Sequence, residues 1–98
     1  MAYVKVVFTE FVDDGFPSVG AFEFTDLQGE TIVIHEKLCV VGLDEAGTAS
    51  QIPMNVGLEC MIASETHDHV MIDTSAPYAI EDVQGRTQFQ VSPNLVGR

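Results

Sequence analysis

Basic residues are scarce in this chain of 98 residues, which has 4 lysines and arginines against 15 aspartates and glutamates. The formal net charge is therefore −11 with histidine neutral. Proteins that bind DNA, RNA or anionic lipid surfaces neutralise phosphate groups with lysine and arginine. The charge thus argues against a nucleic acid or a membrane as the partner.

Long apolar runs are also missing. No run approaches the ~20 apolar residues of a membrane span, and residues 1–5 lack the apolar segment of a signal peptide. We therefore expect a cytoplasmic protein. With 46% hydrophobic residues the chain is too apolar to stay disordered, and its length predicts one domain over residues 1–98 because domains typically run ~100–150 residues.

Cysteine and tryptophan are rare, with 2 and 0 copies. Cys39 and Cys60 show neither a CxxC spacing nor the dense pattern of small disulfide-linked proteins. Both lie in apolar runs, which predicts reduced and buried thiols. A sugar site would need exposed aromatic rings, and the tyrosines, including Tyr78, are interpreted as inward-facing.

Motifs of phosphate binding and nucleophilic catalysis do not occur. The chain has no Gly-x-x-x-x-Gly-Lys, Gly-x-Gly-x-x-Gly or Gly-x-Ser-x-Gly sequence. The adjacent carboxylates Asp13-Asp14, Asp44-Glu45 and Glu81-Asp82 lie beside turn residues, and exposed carboxylates make poor general acids. We therefore expect no enzymatic activity, no catalytic residues and no cofactor.

The sequence does have a repeated alternation of apolar and polar residues, rich in β-branched and aromatic side chains. Such alternation over ~4–8 residues is typical of half-buried strands. We predict an all-β fold, a small antiparallel barrel or sandwich of about six to eight short strands joined mainly by hairpins. The predicted core consists of Val4, Val6, Phe8, Phe22, Phe24, Ile32, Ile34, Leu58, Cys60, Ile62, Val70, Ile72, Tyr78, Ile80, Phe89 and Val91.

Turn residues between these segments predict the hairpin registers. Phe8 is expected opposite Phe22, and Phe24 opposite Ile32, which leaves a loop with Gly29 at a position that requires the left-handed conformation.

A third hairpin would pair Tyr78 with Val91 around a Gln84-Gly85 loop. In that register Arg86 is diagonal to Glu81 and should form an exposed ion pair with it. The path of residues 38–57 is not predicted, and no internal repeat stands out.

His67-Asp68-His69 is the one cluster with the spacing of metal ligands. Two residues that are two positions apart on a strand share a face, so both imidazoles could point at one cation. Zinc sites need three or four ligands, however, and the chain has only one other imidazole, His35. A metal-binding domain that uses His67 and His69 is therefore the alternative function.

The leading hypothesis rests on the distribution of charge. Acidic residues occur throughout the chain, and no basic residue lies between Lys37 and Arg86. Such a surface either keeps a small protein in solution or docks on a basic protein. We expect a non-enzymatic protein-binding module of the immunity, inhibitor or adaptor kind. Its partner would be a protein, with basic ones favoured, or a second copy of this chain.

The candidate interface lies on the hairpin around His67. If Cys60 and Ile62 face the core, the residues that alternate with them face outward. Opposite pairing then puts Met61 against Met71 and Glu59 against Asp73. Paired methionines rimmed by carboxylates suit an adaptable contact surface, unless the loop of residues 40–56 folds over them.

Overall fold

The computed structural model describes residues 2–13, 15, 17–43 and 52–98. Asp14, Asp44 and Glu45 lie outside this range, as does the middle of the 40–56 loop that was the alternative cover for the methionines. Within it the chain forms β1 (Ala2–Asp13), β2 (Val19–Thr25), β3 (Thr31–Lys37), β4 (Met54–Glu65), β5 (Val70–Asp73), β6 (Gln88–Val91) and β7 (Val96–Gly97). Two short 3₁₀ turns span Leu38–Val41 and Pro93–Leu95.

The strands form one antiparallel sheet in the order β3-β2-β1-β4-β5-β6, curled into a half-barrel, with β7 paired to β1. The predicted all-β class is confirmed. β1 and β4 each have 12 residues, long enough to pair with different neighbours along their length. Residues 54–60 of β4 pair with β1 and residues 61–65 pair with β5. β4 therefore connects the two parts of the curled sheet.

Two of the three predicted hairpins are confirmed. Phe8 lies opposite Phe22, and Phe24 lies opposite Ile32. The loop between β2 and β3 puts Gly29 at φ +87°, the left-handed conformation that a side chain disfavours.

The third hairpin is wrong. Val91 pairs with Val70 of β5, and residues 78–80 are not a strand. The alternating apolar side chains of β6 match those of β5, and the two strands pair with each other. The chain that connects them therefore leaves the sheet. It returns with Ile80 fully buried, held by a 2.7 Å hydrogen bond from the buried Thr74 hydroxyl to the Ile80 carbonyl.

The core follows the predicted inward positions closely. All the predicted residues are buried except Ile62, which is partly buried, and Tyr78, which is 50% exposed. Leu38 and Val41, which are not among the predicted core residues, join the core from the 3₁₀ turn after β3. Each fully buried aliphatic or aromatic side chain contributes ~1.5–3 kcal/mol of gross stabilisation.

The two cysteines differ in exposure. Both are free thiols; Cys60 is buried on β4, whereas Cys39 is exposed, so its predicted burial is wrong. The 3₁₀ turn has about three residues per turn, so Leu38 and Val41 share its inner side and Cys39 faces outward. Burial raises the pKa of the Cys60 thiol to about 11.

The described residues include no helix long and apolar enough to cross a membrane.

Candidate protein interface

The hairpin of β4 and β5 carries the predicted interface in a different register. Met61 lies opposite Asp73 and Ile62 opposite Ile72, so the predicted pairings of Met61 with Met71 and of Glu59 with Asp73 are wrong. An irregularity between Ile62 and Ser64 then brings Ser64 opposite Met71. Strand alternation alone could not reveal this bulge, because a bulge adds one residue to one strand only.

Thr66 explains why the turn is tighter than predicted. Its backbone N–H donates to the His69 carbonyl at 2.8 Å, and its hydroxyl accepts from the N–H groups of Asp68 and His69 at 3.3 Å each. These bonds shorten the loop and move the register. Local side-chain bonds of this kind are typical of Thr in turns.

All four predicted interface residues face outward in spite of the shifted register. Met61 is 47% exposed, next to Glu59 on β4, and Met71 is half-buried beside Asp73 on β5. The nearest cross-strand neighbour of Met61 is thus a carboxylate. The outer face therefore alternates apolar and acidic groups.

Asp73 is held in place as an ionised group. Its carboxylate accepts hydrogen bonds from the Ser75 hydroxyl at 2.6 Å, the Ser75 N–H at 2.8 Å and the Gln88 amide at 3.1 Å. These bonds, led by the Ser75 hydroxyl, keep the pKa of Asp73 below its ordinary value. A fixed negative charge therefore lies opposite Met61.

Tyr3 extends this surface onto β1. It lies opposite Glu59 and is 37% exposed. Its ring packs over the bare backbone of two glycines: a methyl group at Gly57 would lie 2.8 Å from Tyr3 Cδ2, and one at Gly97 would overlap the ring. An adjoining open groove of about 460 Å³ is lined by Tyr3, Lys5, Val6, Val7, Asn55, Val56, Gly57 and Leu95.

Both tyrosines are exposed, so their predicted inward orientation is wrong, and Tyr3 was not among the predicted interface residues. The signal for Tyr3 was available, because the inward positions Val4, Val6 and Phe8 leave Tyr3 on the other face. We call the surface formed by Tyr3, Glu59, Met61, Met71 and Asp73 the outer-face patch.

The two histidines at the hairpin tip do not share a strand face. His67 lies in the turn and is exposed, and Nδ1 of His69 lies 3.2 Å from the Thr66 hydroxyl oxygen. In the part of the chain that the structure describes, no group of three or more His, Cys, Asp or Glu side chains could hold a metal ion. Metal binding by His67 and His69 stays a prediction.

Both arginines form ion pairs outside the outer-face patch. Arg86 contacts Glu30 and Asp82, at 2.8 Å in each case, so the predicted pair with Glu81 is wrong. Arg98 pairs with Glu65 and lowers the pKa of that carboxyl through a side-chain hydrogen bond. Neither arginine is paired with a carboxylate of the outer-face patch.

Arg86 pairs with Asp82 because the two residues begin and end one tight five-residue loop. The same loop occurs a second time in the chain. Residues 26–30 (Asp-Leu-Gln-Gly-Glu) and 82–86 (Asp-Val-Gln-Gly-Arg) have the same hydrogen bonds. Oδ1 of each aspartate accepts from the N–H two residues on at 3.0 Å and four residues on at 2.8 Å. This short repeat was not predicted, although its signal, Asp-x-Gln-Gly, is present in the sequence.

No protein-family model, curated protein or solved structure matches this chain. The geometry and charge of its surface therefore carry the functional argument.

Proposed function

We propose that this chain is a non-enzymatic protein-binding module that docks on a basic protein in the cytoplasm through its outer-face patch. The observation that carries the proposal is the exposure of Met61 between two carboxylates, Glu59 on its own strand and Asp73 on the next. An apolar centre with a charged rim is the usual anatomy of a protein interface.

The side chains of the patch suit this role. Met61 has a flexible, polarisable side chain that adapts to different contact surfaces. Tyr3 offers a rigid aromatic surface, because Gly57 and Gly97 let its ring pack closely against the sheet. The patch thus combines one adaptable and one fixed apolar contact.

The net charge of −11 favours a basic partner. Opposite charges steer two proteins together and raise the association rate, an effect that salt screens. A second copy of this chain would bring the same carboxylates against the patch, because a two-fold interface joins identical surfaces. Self-association is therefore the weaker of the two expected partnerships.

Affinity capture from the source cells, with Met61→Asp and Val12→Asp as matched variants, tests the proposal. The two residues are 47% and 48% exposed, so neither change empties the core. We expect Met61→Asp to reduce capture of a basic partner at least about tenfold and Val12→Asp to leave it unchanged.

The same capture is repeated from about 0.05 to 0.5 M salt, where the Debye length falls from roughly 14 to 4 Å. The proposal requires capture to weaken steadily over this range. Equal capture by both variants, or capture that salt does not affect, would rule it out.

A further inference from the structure

The edges of β3 and β6, at the two ends of the sheet, approach each other along a seam. The Leu27 N–H donates to the Gln90 carbonyl at 2.8 Å, and the Val83 N–H donates to the Val33 carbonyl at 2.9 Å. The ion pair of Arg86 with Glu30 lies between these two bonds along the chain. The two sides therefore run antiparallel, as neighbouring strands of a closed barrel would.

The seam opens beyond Val33. Continuing its antiparallel order would put His35 opposite Glu81, yet no hydrogen bond between these residues occurs in the described chain. Here lies an open groove of about 470 Å³, which we call the seam cleft. It is lined by His35, Glu36, Ala79, Glu81, Asp82 and Val83.

The opening is built into the path of the chain. Ala79 adopts φ +55°, a left-handed conformation that is unusual for a residue with a side chain. Its N–H donates to the Ser75 carbonyl and that of Ile80 donates to the Thr74 carbonyl, 2.9 Å each. Ile80 is thus fixed in the core while Ala79 and Glu81 on either side of it are exposed.

Both walls of the seam cleft present backbone groups for pairing. Because the Val33 carbonyl faces the seam, the backbone groups of His35 do so as well, by the alternation of an antiparallel strand. On the other wall, the Ile80 and Asp82 N–H groups donate to Thr74 and Arg86, whereas the Val83 N–H donates to Val33 of β3. Continuing this alternation would point the backbone groups of Glu81 toward β3 as well. Among the residues described, no backbone hydrogen bond outside the paired strands of the sheet involves His35 or Glu81.

The negative charge of the seam cleft favours a positively charged ligand. Glu36 and Glu81 contribute carboxylates from opposite walls, and the carboxylate of Asp82 is already paired with Arg86. Val83, 55% exposed, adds an apolar contact at one end. Lys37 follows Glu36 and is the nearest basic residue along β3.

We propose that the seam cleft binds an extended basic segment of a partner protein as an added β-strand, with a lysine or arginine between Glu36 and Glu81. Main-chain bonds to His35 and Glu81 would supply affinity, and the two carboxylates would supply selectivity, as in other cases of strand addition. This surface is separate from the outer-face patch, and the inference stands whether or not that patch binds a protein.

Synthetic peptides test it without altering the protein. The probe is a short acetylated and amidated peptide of alternating lysine and valine, titrated while backbone amide NMR shifts and hydrogen exchange are followed. We expect shifts and slower exchange at His35 and Glu81. A glutamine-for-lysine peptide, and a lysine peptide N-methylated at every second residue, should each bind at least about tenfold more weakly.

Three results would overturn the proposal. The first is a lysine peptide that leaves the His35 and Glu81 amides unaffected, and the second is a glutamine peptide that binds equally well. Slow exchange of both amides before any peptide is added would show that the cleft walls are already paired.

A pair of protein variants separates local from overall charge. Glu36→Gln with Glu81→Gln removes the two cleft carboxylates, while Glu10→Gln with Asp68→Asn removes two exposed carboxylates elsewhere and gives the same net charge. We expect the first pair to weaken peptide binding about three- to tenfold and the second to change it less than twofold. If both pairs weaken peptide binding equally, the net charge of the protein explains the effect, and specific binding in the seam cleft is refuted.

Discussion

Asp26 and Asp82 show how two residues in the same local structure can differ in importance. Each closes an identical five-residue loop by accepting two backbone hydrogen bonds. The Asp82 side chain is almost fully buried and pairs with Arg86, whereas Asp26 is half-buried and has no arginine. A buried carboxylate depends on its partners much more than a half-exposed one does.

We therefore expect Asp82→Ala to lower the free energy of unfolding by ~2–4 kcal/mol, since it removes the loop bonds and leaves Arg86 without its buried partner. The matched change Asp26→Ala removes the same two bonds and should cost only ~1 kcal/mol. Urea unfolding followed by circular dichroism measures both. Equal losses would mean that burial and the ion pair add nothing to the role of Asp82.

At the scale of elements, Tyr3 joins three strands. Its ring lies over Gly57 of β4 and Gly97 of β7 while its backbone pairs with both strands from β1. Cross-strand contacts between an aromatic ring and a glycine compensate for the missing glycine side chain. The glycines are thus sites of close approach rather than points of weakness in the strands.

Gly57→Ala should accordingly cost ~1–2 kcal/mol, because the new methyl group would lie 2.8 Å from Tyr3 Cδ2 and force the ring to turn. In a Tyr3→Ala background the same change should be neutral or stabilising, because alanine loses less entropy than glycine on entering a strand. A double-mutant cycle from urea unfolding measures the coupling. A cycle with no coupling would show that the ring does not lie over Gly57.

At the scale of the molecule, acidic groups dominate the surface but only some stabilise the fold. Burial, the largest single effect at Asp82, favours its neutral form. The hydrogen bonds from the Arg86 and Gln84 N–H groups and from the Arg86 side chain together outweigh burial, so the pKa of Asp82 lies below its ordinary value. Asp73 and Glu65 also have lowered pKa values, through Ser75 and Arg98 respectively.

A carboxyl with a lowered folded-state pKa contributes stability that is fully present above its unfolded pKa, about 3.9 for aspartate. That contribution is lost as the pH falls through the lower folded-state pKa. We expect wild type to exceed Asp82→Asn in unfolding free energy at neutral pH, and the gap to close as the pH falls below about 4. Urea unfolding over a pH series measures it; a gap that persists unchanged to about pH 2 would contradict a lowered pKa.

How far the sequence determines this protein depends on how local each signal is. Alternation of apolar side chains identified the inward residues of β1 to β6, because the two faces of a strand differ in burial whatever its neighbours are. Turn chemistry identified the first two hairpins, where Gly29 and the flanking apolar pairs agree. The outward positions of Met61, Met71, Glu59 and Asp73 follow from the same alternation.

Tertiary structure decided what the local pattern leaves open. Val91 could satisfy its pattern against either Tyr78 or Val70, and only packing of the whole sheet selects Val70. The pairing of Arg86 with Glu30 likewise depends on a contact between distant segments. The one-residue bulge near Ala63 and the exposure of Cys39 arise from local turn geometry that the alternation of apolar residues does not show. The seam cleft also depends on tertiary packing: Ile80 beside it is buried in the core, and a sequence pattern cannot show where two segments of the chain fail to pair.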